Sequence, residues 1–283
     1  MNLESASDVP VRLHNLVVNN KVVQMNSGER LLNIYTSLVQ QSPNKDMVKT
    51  WAKVFGLDAD GNNLEDEVVH LVLGLRHELT FARGRLTAQG APSELTSPAF
   101  ERLASVASPG QLHSSWASHL PNINPAECRK IFEWVAWTLR DEGEADMSAD
   151  EMQTLRGELE SLEAALADVG MAPYLRDFIE RQIKTIREAL RMYGVRGVKP
   201  VREALQQVAG AYKTEEKQLA RAVHAASEPQ KTVFARAAGA IKKVAEFADT
   251  ISKLKQGADD AISIGQSVGD IVTPYLNTQL PNL

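Results

Sequence analysis

Near the carboxyl end, apolar side chains return every three or four residues, at Phe234, Ala237, Ile241, Val244, Ala248 and Ile251. That spacing keeps one stripe of an α-helix turned toward a neighbouring helix. Gly257, Ala261, Gly265 and Gly269 follow at a constant spacing of four, and small residues so placed let two helix backbones approach closely. A chain carrying this pattern from Pro229 to about Tyr275 needs something to cover it: its own helices, a second copy or a partner. The pattern predicts a mainly α protein, a multi-helix bundle with a long C-terminal packing helix.

Upstream, the Val- and Leu-rich stretch 11–25 surrounds Asn19 and Asn20, residues that tolerate a tight turn, so a short β-hairpin is expected there. Helical stripes then take over. Leu31, Leu32, Tyr35, Leu38 and Val39 form one, Met47, Val48, Trp51, Val54 and Phe55 a second that stops at Gly56, and Val68, Leu71, Leu75 and Leu79 a third beginning at Leu64. Pro92, Pro98, Pro109 and Pro121 limit helices to short pieces until Asn124-Pro125, where Asn124 is expected to cap a helix with proline at its first position. That helix carries Ile131, Phe132, Trp134, Val135, Trp137 and Leu139. These are too many large apolar groups for one face, which predicts burial on two sides.

Between Asp141 and Asp168 there are ten acidic residues and one arginine. The polar run at 141–146 marks the boundary between an N-terminal helical domain, 1–140, and a helical-hairpin domain, 148–276, followed by a tail at 277–283. Ser148 with Glu151 three residues later predicts a capping box opening the second domain. The return arm of the hairpin, Pro173 to Tyr193, stripes Leu175, Ile179, Ile186 and Leu190, and Gly194 and Gly197 are expected to supply the next turn. The hairpin from Leu155 to Gly197 resembles bacterial helical proteins of no named family.

The residues suggest little chemistry. Glu67 and His70 form one Glu-x-x-His pair, whereas a di-metal bundle needs two. His77 lies seven residues on, roughly 10 Å along the axis at 1.5 Å per residue, too far to share an ion with His70. Asp58, Asp60 and Asn62 resemble a calcium loop, but Gly61 comes two positions too early. The single cysteine, Cys128, would need a base from His113 or His119, and no phosphate-cradling glycine loop is present. No catalytic residue, metal site or cofactor is therefore assigned, and the balance leans away from an enzyme.

Two charged surfaces remain. From Arg176 to Arg202 there are eight basic residues against three acidic ones, and Arg181, Lys184, Arg187 and Arg191 are candidate anion-binding residues on the basic helix 174–193. Lys242 and Lys243, with Lys231 and Lys253, lie opposite the terminal seam, so the amphipathic stretch 229–255 is a candidate for peripheral membrane contact. A formal net charge of −5, one cysteine and no apolar run long enough to span a bilayer point to the cytoplasm. The function expected from the residues is a non-enzymatic interaction or regulatory protein: a sensor, adaptor or inhibitor subunit of a bacterial multi-component system such as defence. It would self-associate or dock a protein partner through the ten small and apolar residues from Phe234 to Gly269 named above. A membrane-perturbing effector and a nucleic-acid binder are the alternatives.

Overall fold

The computed structural model describes residues 24–145, 147–253, 270–271 and 273–274. Helix α1 (Ser27–Val39) opens on a reciprocal cap. The Asn26 side chain accepts from Glu29 N–H at 2.9 Å, and the Glu29 carboxylate accepts from Asn26 N–H at 2.7 Å. Two of the amide protons left over at a helix start are satisfied in this way. α2 (Met47–Phe55) starts at Asp46 and closes at Gly56, whose φ of 68° is the left-handed conformation glycine adopts without strain. α3 (Leu64–Ala88), α4 (Ser97–Val106), α5 (Trp116–Ile123) and α6 (Ala126–Thr138) complete the first half. Their inward stripes bury Leu31, Tyr35, Trp51, Leu75, Phe100 and Phe132 in one core.

Asn124 does not cap α6 as its neighbour Pro125 suggested. Its N–H donates to Leu120 O at 3.0 Å and closes α5, while Pro125, at φ −56° and ψ 138°, stands just outside α6. An extended ψ at Pro125 lets the chain change direction between two short helices.

The second half is built from α7 (Ala149–Asp168), α8 (Pro173–Arg196), α9 (Lys199–Thr214), α10 (Glu216–Ala225) and α11 (Glu228–Lys253). α7 begins with the Ser148–Glu151 capping box. α8 runs through Gly194 and stops only at Gly197, so one glycine of the expected pair is helical. A second core, from Met147 to Ala248, gathers Leu159, Phe178, Ile186, Leu205, Tyr212 and Phe234. α8 serves both cores, because Met192 and Val195 on its last turns belong to the first.

Of the hairpin expected at 11–25, residues 11–23 lie outside the described residues. Gln24–Met25 forms β1, which pairs antiparallel with β2, Glu144–Ala145, far along the chain. A buried charge cluster sits beside this ribbon. Arg30, 5 % exposed, donates to Glu78 Oε1 through Nε at 3.1 Å and a terminal nitrogen at 2.8 Å, and to Met25 O at 3.2 Å. Its other terminal nitrogen lies 3.6 Å from Glu144, whose carboxylate also accepts from Val198 N–H at 3.1 Å. Gly197 is required here twice over: its φ is 64°, and a Cβ would stand 2.5 Å from Glu144 Oε2 and 2.6 Å from Arg30. The acidic run before α7 thus contributes a side chain that ties the ribbon to the α8–α9 turn.

Candidate functional site

The terminal seam is covered by the chain itself. Phe234, Ala237, Ile241, Val244 and Ala248 are all buried in the second core, where α11 packs on α7, α8 and α9. Phe234 faces Phe178 and Tyr212, each at a ring separation of 6.4 Å, and Phe247 meets Tyr193 edge-on at 6.0 Å. The rim is laced by polar contacts: Arg236 donates to Ser161 Oγ at 3.0 Å, Gln230 to Gly170 O at 2.6 Å, and Lys243 pairs with Glu158. Ile251 is helical, but its side chain, with Gly257, Ala261, Gly265 and Gly269, lies outside what is described. The apolar face expected to await a partner is, over its described length, occupied within the fold. Lys242, the other candidate membrane residue, is 3.9 Å from Glu246 one turn on.

The candidate anion-binding residues line a groove of about 500 Å³ between α7 and α8, except Arg181, which points to the α9–α10 turn. Each has a carboxylate partner: Arg181 meets Glu215 at 3.0 Å, Lys184 meets Glu188 at 3.9 Å, Arg187 meets Glu163, and Arg191 meets Glu67 at 3.2 Å. A phosphate arriving here would have to displace those carboxylates, so the row is a set of internal pairs rather than an open cationic face. Sequence spacing showed the cations on one side of α8; Glu188 lies one turn on along the same helix, but the other pairing acids come from α3, α7 and the turn at Glu215.

Among the described residues, the polar groups named as candidates for chemistry are dispersed. His70 and His77 are exposed on α3, and Glu67 of the Glu-x-x-His pair is engaged by Arg191. Among the described residues, no group of three His, Cys, Asp or Glu side chains could hold a metal ion. Cys128 is 1 % exposed, with Arg102 at 3.4 Å from its sulfur; His113 instead meets Glu65 at 3.3 Å, and His119 meets Ser114. The Ser114–His119 contact, 2.6 Å, resembles a nucleophile and base, but Ser114 Oγ already donates to Gln111 O at 2.5 Å. A hydroxyl has one proton to give, so the imidazole is the donor and the serine is left unactivated. Tyr35 donates to Ile123 O at 3.1 Å, and burial, with the nearby Cys128 thiol, pushes its phenol above the ordinary value of 10.0.

The feature that sequence reasoning misplaced is on α6. That helix is covered on one side only. α1 crosses it so closely that a Cβ at Gly28 would stand 2.6 Å from Ala136 Cα, and Asn26 donates to Ala136 O at 3.1 Å. On the opposite side Trp137 is 62 % exposed, while Trp51 and Trp116 are fully buried. Arg140 folds back so that its guanidinium lies 4.1 Å from the centre of the indole ring, and it donates to Trp137 O at 2.9 Å. Exposed Lys130 and Glu133 and partly buried Trp134 continue this face along the helix. The surplus of apolar groups on α6 was visible in the sequence; that Trp137 stays 62 % exposed, with Arg140 stacked on its ring, was not. Comparison with protein-family models, with curated proteins and with solved structures finds no match to this chain.

Proposed function

We propose that this chain is a helical interaction or regulatory protein, acting as a sensor, adaptor or inhibitor subunit that binds a protein partner through the outward face of α6. The observation that carries this reading is the exposed Trp137 with Arg140 stacked on it. Tryptophan and arginine dominate the residues that hold interfaces together, because each removes a large area from water and offers a directed polar group. α6 is held rigid by the close crossing at Gly28, so little ordering cost would remain when a partner closes over it. The chemistry that fits is an apolar pocket for the indole; Arg140, half exposed, lies 3.9 Å from exposed Asp141, so a carboxylate at the pocket's rim would have to take the place of that contact.

A photoreactive side chain placed at Lys130 of the full chain, expressed in its native cells, tests this. The expected product is one cross-linked partner of defined mass that disappears when Trp137→Ala is added. No adduct, or an adduct indifferent to Trp137→Ala, refutes the reading.

The small-residue row Gly257, Ala261, Gly265 and Gly269 is proposed as a second docking element on the strength of its spacing alone. Gly265→Leu would then reduce association measured by light scattering. The membrane-effector alternative requires α11 to leave the core. At about 1.5–3 kcal/mol per large side chain, withdrawing Val233, Phe234, Ile241 and Val244 costs about 6–12 kcal/mol. A membrane would have to supply at least that. The nucleic-acid alternative requires breaking the four pairs that now engage Arg181, Lys184, Arg187 and Arg191.

A further inference from the structure

Arg181, Lys184, Arg187 and Arg191 on α8 are paired with carboxylates, whereas Lys213 at the end of α9 and Lys217 and Arg221 on α10 are exposed and meet no carboxylate among the described residues. Lys217 and Arg221 are one turn apart on the side of α10 away from buried Leu219 and Val223, and Arg221 is steadied by donating to Lys217 O at 3.1 Å. The only carboxylate on α10 is Glu216.

The complementary surface is on α7. Its inward and flanking acids are engaged, Glu151 in the helix cap, Glu158 by Lys243 and Glu163 by Arg187. Its outward stripe is not. Asp150, Gly157, Glu160, Ala164 and Asp168 recur at helical spacing along one arc and are all exposed, with Arg156 at the flank. None of the three acids in that stripe meets a cation among the described residues, and Gly157 and Ala164 leave its centre low enough for another helix to lie close.

We infer that α7 of one molecule docks on α10 of a second copy, and that the exchange is reciprocal, so that two α7–α10 contacts close a twofold dimer. Charge complementarity selects the occupant: an acidic stripe with a shallow centre and an unpaired basic stripe stand on separate helices of the same chain, which make no ion pair with one another among the described residues. Contacts of this kind are weak and screened by salt, whose Debye length shrinks from about 30 Å at 0.01 M to about 3 Å at 1 M. The inference goes beyond the α6 proposal and uses none of its residues.

Sedimentation velocity of the full chain tests it. At about 0.01 M salt the weight-average mass should rise with concentration toward twice the monomer, and at about 1 M salt return to the monomer. The pair Lys217→Glu with Arg221→Glu should be monomeric, as should the pair Glu160→Lys with Asp168→Lys, each with an unchanged circular dichroism spectrum. Mixing the two should restore the dimer, because both contacts are then again between opposite charges. Trp137→Ala should leave dimerisation intact, so failure of the α6 reading and failure of this one are separate results. A wild-type monomer at low salt, a dimer insensitive to salt, or reversed variants that do not rescue each other would overturn the inference. So would a monomer that instead binds a labelled DNA duplex through Lys217 and Arg221, since the basic stripe would then serve a different polyanion.

Discussion

α6 and α11 are both amphipathic helices with more apolar surface than a single neighbour can cover, and the fold treats them oppositely. α11 sets Phe234 among small and medium side chains, and α7, α8 and α9 close around it and bury Phe234, Ile241 and Val244 together. α6 concentrates its area in large aromatics. One side accepts α1 at the Gly28 crossing, and Phe132 is buried there, while Trp137 remains in water. Amphipathic spacing announces that a face will be covered. Where the helices cross decides whether the chain's own helices do it: the indoles of Trp51 and Trp116 are fully buried, whereas Trp137 stands on the side of α6 away from the α1 crossing.

Four measurements break or sharpen that contrast. The largest effect is expected at Phe234→Ala, which empties the space between Phe178 and Tyr212 and should lower the unfolding free energy by about 3–5 kcal/mol, read as a fall in the urea midpoint. If the midpoint is unchanged, α11 is not the closed element described here. Gly28→Ala forces a methyl group against the Ala136 backbone and should destabilise by about 1–3 kcal/mol; a neutral result would show that α6 is loosely held on its covered side as well.

Smaller effects are expected at the polar edges and on the open face. Tyr35 lies on the covered side of α6, 5.1 Å from the Phe132 ring, with its phenol raised by burial. The folded state therefore holds that proton more tightly than the unfolded chain does. Its contribution is complete below pH 10 and is lost as pH climbs through the higher folded value, so wild type should lose stability faster than Tyr35→Phe in alkaline urea titrations. Trp137→Ala should change stability by less than about 0.5 kcal/mol, since the indole is largely in water already. A larger loss there would mean that the indole packs against the body of the protein.

Much of the fold was legible in the residues. The stripes of α1, α2 and α3, the Gly56 stop, the Ser148–Glu151 cap and the apolar seam of α11 all follow from spacing and turn chemistry that act within a few residues. The Asn26–Glu29 cap has the same local three-residue spacing. Other features depended on groups distant in sequence. Asn124 reads as a cap for α6 until its amide is seen bonded back into α5. Gly194 reads as a turn until α8 is seen continuing to reach the first core with Met192 and Val195.

The candidate surfaces divide along the same line. That Arg187 and Arg191 share a side of α8 is helix geometry; that Glu163 and Glu67 neutralise them comes from helices elsewhere in the chain. From its sequence alone this protein is mainly α, with a long apolar stripe near its end and too many aromatics on α6, because helical periodicity and capping are local. Only the tertiary structure decided that α11 is sealed inside and Trp137 left outside, because which surfaces meet depends on how whole helices pack.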